Sequence, residues 1–172
     1  FPHTRVGKAL DWVDRRIQQG DKVSPQLLFA TMFGQYLEEK AEWFRGGGAH
    51  GQQAIDTALA EFLEELAPTV QIHGKVGGMI RHILGCQQRF RKMPGRHPLS
   101  FIKRPAFDDS LEYLSFAAEL SEEDRRVHEW WREYLRKNPL PHSPETGTVA
   151  TEPQAKAKRK RRRRRGRKKE GG

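Results

Sequence analysis

Residues 24 to 48 read SPQLLFATMFGQYLEEKAEWFRGGG, and this stretch decides the fold class. Ser24 can accept a hydrogen bond as an N-cap, and Pro25 at the first helical position has no N–H to leave unsatisfied. Leu28, Phe29, Met32, Phe33, Tyr36 and Leu37 then recur at spacings of three and four, the period of one helix face, as far as Phe44. Gly46-Gly47-Gly48 ends the run.

The same period extends in both directions. Upstream, Val6, Ala9, Leu10, Val13 and Ile17 form a stripe that stops at Gly20. Downstream, a stripe from Ile55 to Leu66 is closed by Pro68, and another runs through Val76, Met79, Ile80, Ile83, Gln87 and Phe90 to the turn at Met93-Pro94-Gly95. Pro98 can open a short helix through Phe101 and Ile102, Pro105 interrupts it, and Phe107, Leu111, Leu114 and Ala118 begin again. Ser121 with Asp124 three residues on resembles a capping box with Asp in place of Glu, ahead of Val127, Trp130, Trp131, Tyr134 and Leu135. No alternating strand pattern competes. The expectation is an all-α body, a compact bundle of about six or seven helices over residues 1–138. A Pro/Ser/Thr-rich linker over 139–154 and a disordered basic tail over 155–172 follow it.

At 172 residues and 19.9 kDa the chain has room for one domain and a tail. Its single cysteine, Cys86, excludes an internal disulfide framework, and buried packing accounts for it more simply than reactivity. With one cysteine, no apolar run long enough to span a bilayer and no charged start followed by an apolar block, the expected setting is the cytoplasm. The chain opens on Phe1-Pro2, which leads us to expect a piece of a longer protein.

Charge is the more informative number. The net formal charge is +10, yet residues 155–172 alone carry twelve basic residues and one acid, so the remainder is close to neutral. Within that remainder, residues 75–104 hold eight cations (Lys75, Arg81, Arg89, Arg91, Lys92, Arg96, Lys103 and Arg104) and no acid. The tail concentrates Lys158, Arg159, Lys160, Arg161, Arg162, Arg163, Arg164, Arg165, Arg167, Lys168 and Lys169. Cations this dense repel one another, and binding a polyanion releases condensed counterions from the phosphates. If all twelve tail cations met single-stranded phosphates, the log-log salt slope would approach roughly −8. A nuclear-import signal and an anionic-surface binder are the competing readings, although no apolar face accompanies the charges. The internal stretch is read either as a binding surface or as a solvated face over core aromatics. Phe90, Phe101 and Phe107 fall on core positions, and one of Trp130 and Trp131 should be buried with the other at a rim.

Catalytic signatures are missing from the sequence. Gly7-Lys8 lacks the upstream glycine of a phosphate-binding loop, and Gly46 to Gly48 follows a helix where such a loop would follow a strand. The seven histidines show no His-Glu-x-x-His pattern, and Asp108-Asp109 and Glu64-Glu65 diverge around their helices.

The order of several phrases resembles the C-terminal region of the bacterial poly(A) polymerase family, within the nucleotidyltransferase superfamily that also holds the CCA-adding enzymes. They are Val6-Gly7-Lys8-Ala9-Leu10-Asp11, Ser24 to Phe33, Gln88-Arg89-Phe90 through Gly95-Arg96-His97-Pro98, Arg104 to Leu114 and Glu129-Trp130-Trp131. The terminal arginine-rich extension fits the same family. The sequence departs from the resemblance at Ile72 to Lys75, where a proline and a further basic residue are expected, and near His82 to Leu84, where a tryptophan is expected. The resemblance implies a helical body and tail that hold RNA for adenylate transfer by an N-terminal head of the same protein. That head would supply the carboxylates for ATP and Mg2+, with no catalytic or metal-binding residue in this chain. The basic stretch and the tail would then be the RNA contacts. A free-standing helical nucleic-acid adaptor is the alternative.

Overall fold

The computed structural model of the chain describes residues 4–139. They form one compact unit of seven α-helices with no strand among them. The helices are α1 (Arg5–Gln18), α2 (Pro25–Gly46), α3 (Gly51–Leu66), α4 (Gly74–Phe90), α5 (Pro98–Ile102), α6 (Phe107–Ala118) and α7 (Glu122–Lys137). The linker beyond Pro139 and the tail lie outside the described residues.

Most boundaries follow from the residues read above. The Ser24 hydroxyl accepts from the Leu27 N–H with Pro25 at the helix start, and α2 ends at the triple glycine. Gly20 and Gly48 take positive φ, 85° and 101°, where a side chain would be strained. The cap at Ser121 differs from expectation in one respect. Its hydroxyl does accept from the Asp124 N–H, but the Ser121 N–H donates to the Ala117 carbonyl. The reciprocal half of the box does not form, and the Asp124 carboxylate turns to Arg91.

Helix α2 is the central element, packed against α1, α3, α4 and α6, because its apolar residues extend around more than one face. Phe29 and Phe33 meet Phe62 of α3, with ring centroids 5.8 and 5.3 Å apart. Gly34 admits Tyr113 of α6: a Cβ there would lie 2.9 Å from the tyrosine ring, so the helices approach at this point only because the side chain is missing. A second aromatic cluster forms where α4, α5, α6 and α7 converge. Phe90, Phe101, Phe107 and Trp131 lie within 4.9–6.1 Å of one another, centroid to centroid, and all are buried. Trp131 is the buried member of its pair. Trp130 is half-buried and stacks on Tyr134 at 5.1 Å. The second cluster positions the site described next.

Candidate nucleic-acid interface

Helix α4 ends at Phe90, and the last carbonyls of a helix have no partner within it. The Phe90 carbonyl accepts from the Trp131 indole N–H at 2.8 Å, a buried bond that ties α7 to the end of α4. Gln87, also buried, donates its amide to the Ile83 carbonyl at 2.8 Å and to the Ser110 carbonyl at 3.2 Å, which fixes α6 against the same turn. The Ser110 hydroxyl in turn donates to the Ala106 carbonyl. The chain leaves α4, turns through Pro94 and Gly95 at φ 78°, and returns as α5, whose Phe101 sits on Phe90.

This scaffold leaves a cleft of about 430 Å3 between the end of α4 and α5. Arg89, Lys92, Arg96 and His97 line it with the Pro94-Gly95 turn, over the Phe101 ring. The Arg89 guanidinium lies 4.6 Å from the centroid of Phe101, a cation–π contact that holds the side chain on the cleft wall without taking up its charge. Lys92 and Arg96 are exposed and have no carboxylate partner among the described residues. Converging cations with unspent donors and no neighbouring acid can bind phosphate oxygens, and arginine's planar fork suits that geometry.

The eight cations of residues 75–104 do not all line one cavity. Arg89, Lys92 and Arg96 come together in the cleft. Arg104 lines a second cavity of about 360 Å3 with Met79, His82, Cys86, Pro105 and Ala106. Lys75 and Lys103 are exposed and line neither cavity. Arg81 faces Asp56 of α3 at 3.6 Å, and Arg91 pairs with Asp124 of α7 at 3.2 Å beside a recess that also holds Glu38, Arg45 and Gln88. The tail cations Lys158 to Lys169 lie outside the described residues. His97 and His82 were not singled out by sequence. The signal was available, because Met79, His82, Cys86 and Arg89 recur at three, four and three residues and so share a face of α4.

Burial decides the electrostatics of the neighbouring groups. The Cys86 thiol is pushed up by burial and stays protonated at neutral pH, so it is a packing residue. Glu38 is also pushed up by burial, against the opposing pull of Arg5 and Arg91, and its carboxylate lies 3.5 Å from the Tyr113 hydroxyl. No group of three or more His, Cys, Asp or Glu side chains comes together to hold a metal ion among the described residues. Asp109, one of the adjacent acids, accepts from Ser24 at 3.0 Å and Gln26 at 2.8 Å and serves to join α2 to α6. The described residues bring together no carboxylate cluster suited to Mg2+, and no chemical step is assigned to them.

Residues 47–169 match the family model of the polymerase A arginine-rich C-terminus, which covers the cleft, the second cavity and the basic tail. The chain belongs to that family. Its similarity to poly(A) polymerase I of Salmonella typhi is 26% identity over 137 residues, 78% of this chain and 30% of that protein. Poly(A) polymerase I of Escherichia coli O6:H1 is also 26% identical, over 132 residues, 75% of this chain and 28% of that protein. The chain thus spans less than a third of the length of these relatives. Membership in the arginine-rich C-terminus family agrees with the resemblance drawn from residues 6–11, 24–33, 88–98, 104–114 and 129–131. No helix among the described residues is long and apolar enough to cross a membrane.

Proposed function

We propose that this chain is the RNA-holding C-terminal part of a bacterial poly(A) polymerase. Arg89, Lys92 and Arg96 grip phosphates in the cleft, and the cations of residues 156–169 act as an electrostatic tether. One observation carries the reading: three cations converge on a single cleft whose thirty-residue sequence neighbourhood contains no acid to neutralise them. Adenylate transfer from ATP belongs to an N-terminal head, where paired carboxylates would hold Mg2+. Two-metal phosphoryl chemistry requires such carboxylates. The chain's part is to keep the 3′ end of an RNA, as a step in RNA 3′-end processing, close to that head in the cytoplasm. Phosphate contacts of this kind position a strand without reading its sequence.

The test measures RNA affinity against salt for the full chain and for a version lacking residues 156–169. Deletion should weaken binding and flatten the log-log slope by several units, at about 0.7 per lost single-strand contact, with thermal stability nearly unchanged. An unaltered slope would refute the tether. ATP-dependent extension of an RNA primer by the isolated chain would refute the separation of holding from chemistry.

A further inference from the structure

The cleft and the second cavity are neighbours along one helix. Met79, His82 and Cys86 face the second cavity and Arg89 the first, on one face of α4 and spaced along about 15 Å of its axis at ~1.5 Å per residue. The opposite wall is also continuous in sequence, with Phe101 at the first cavity and Arg104, Pro105 and Ala106 at the second. Cys86, the α4 residue of the second cavity nearest to Arg89 in sequence, is near enough to Arg89 and Arg104 for both to act electrostatically on its thiol. The two ends differ in chemistry. The first is cationic, while the second is a mostly apolar recess of thioether, imidazole, thiol and proline surfaces with one arginine at its rim.

We infer that the recess lined by Met79, His82, Pro105 and Ala106 receives an unpaired base of the strand whose phosphates lie on Arg89, Lys92 and Arg96. A phosphate backbone along the cationic cleft brings its bases within reach of a recess roughly 10 Å away, about two helical turns. Its volume of about 360 Å3 falls within the ~300–1,000 Å3 range of small-molecule sites. The imidazole of His82 and the flat face of Pro105 suit any π-face, so the recess favours an unpaired base over a duplex without selecting one sequence. Arg104 at the rim pairs with a phosphate flanking that base. This inference rests on the RNA reading above.

The test compares two strands on the full chain: an oligoadenylate, and a ribose-phosphate strand of equal length and charge lacking bases. The double variant Met79→Ala/His82→Ala removes two partly or well exposed walls of the recess without changing formal charge. The unaltered chain should bind the base-bearing strand at least about fivefold more tightly, the low end of what one stacked base supplies. The double variant should lose that preference, keep its salt slope and melt at the same temperature. A photo-crosslink from a 4-thiouridine strand should fall in the peptides that carry residues 79–86 or 104–106. Equal binding of the two strands by the unaltered chain overturns the base recess and leaves the phosphate cleft standing. A preference that survives the double variant, or crosslinks confined to residues 155–172, overturns it in the same way. Failure to bind either strand overturns the RNA reading itself.

Discussion

Cations inside and outside residues 75–104 are used differently. Of the twelve described outside it, seven hold a carboxylate: Arg15 with Glu119, Arg16 with Asp21 and Glu112, Lys40 with Glu61 and Glu65, and Arg45, Arg125, Arg136 and Lys137 with acids on their own helices. Inside, only Arg81 and Arg91 do. The cause is composition. Paired residues outside the stretch find Glu or Asp three to five positions away or on the adjacent helix, whereas residues 75–104 offer no acid and depend on α3 and α7 for partners. Exposed pairs add little to stability, about 0–1 kcal/mol each, so the difference matters less for folding than for what remains available to a ligand. The paired surface is already neutralised, and the cleft is not.

The largest effect should come from removing what supports the cleft. Trp131 fills the aromatic cluster and donates to the Phe90 carbonyl, so Trp131→Ala creates a cavity and leaves that carbonyl with only the longer bond, 3.4 Å, from the Met93 N–H. A loss of about 3–5 kcal/mol is expected for such a truncation. Chemical denaturation should show it as a lowered midpoint. If the midpoint moves little, the cleft does not depend on this cluster.

Next in size is a charge reversal at constant net change. Arg89→Glu/Lys92→Glu/Arg96→Glu and Arg15→Glu/Arg125→Glu/Arg136→Glu alter the formal charge equally. The first set should weaken RNA binding at least tenfold and flatten the salt slope by about 2, at 0.7 per contact. The second should change affinity no more than about threefold at physiological salt, where charges farther apart than about 8 Å are screened. Equal losses in the two sets would mean that total charge governs binding and that the cleft has no special standing.

A smaller effect tests the pairing itself. Arg91→Ala removes the partner of Asp124, which anchors α7 to the end of α4 across a partly exposed surface. The expected cost is below about 1 kcal/mol, with RNA affinity within about threefold of the unaltered chain. A tenfold loss of affinity would move Arg91 from the paired set to the binding set.

The sequence carried the local part of this arrangement. Ser24 and Ser121 as caps, the glycine and proline stops, and Phe90, Phe101 and Phe107 as interior positions all follow from spacing within a turn or two of helix, whereas spacing left open which of Trp130 and Trp131 is buried. What it did not carry is the division among the eight cations. Arg91 and Asp124 are 33 positions apart, and whether Arg91 reaches that acid or the cleft depends on how α7 packs on α4. Arg89 likewise acquires its place from Phe101 on another helix. Helical period assigns a residue to a face, and only the packing of helices assigns that face a partner. The unmade half of the Ser121 box has the same origin, since Asp124 had a guanidinium within reach.

The smallest prediction concerns Glu38, at the boundary between the two regions. Its carboxyl binds a proton more tightly in the folded chain than its ordinary value of 4.5, because burial outweighs the attraction of Arg5 and Arg91. Between 4.5 and the raised folded value, the native state therefore binds more protons than the unfolded one. Stability from this group is greatest below 4.5 and declines as pH rises through that interval. Glu38→Gln keeps the shape and removes the titration. Relative to the unaltered chain, the variant should gain in melting temperature as pH is raised from about 4 towards neutrality, with most of the change complete once Glu38 is ionised. A relative loss over the same interval would mean that Glu38 is held as a carboxylate by its arginines. In that case the hollow lined by Glu38, Arg45, Gln88 and Arg91 would belong with the paired surface, and Arg91 would have two acids to neutralise it instead of one.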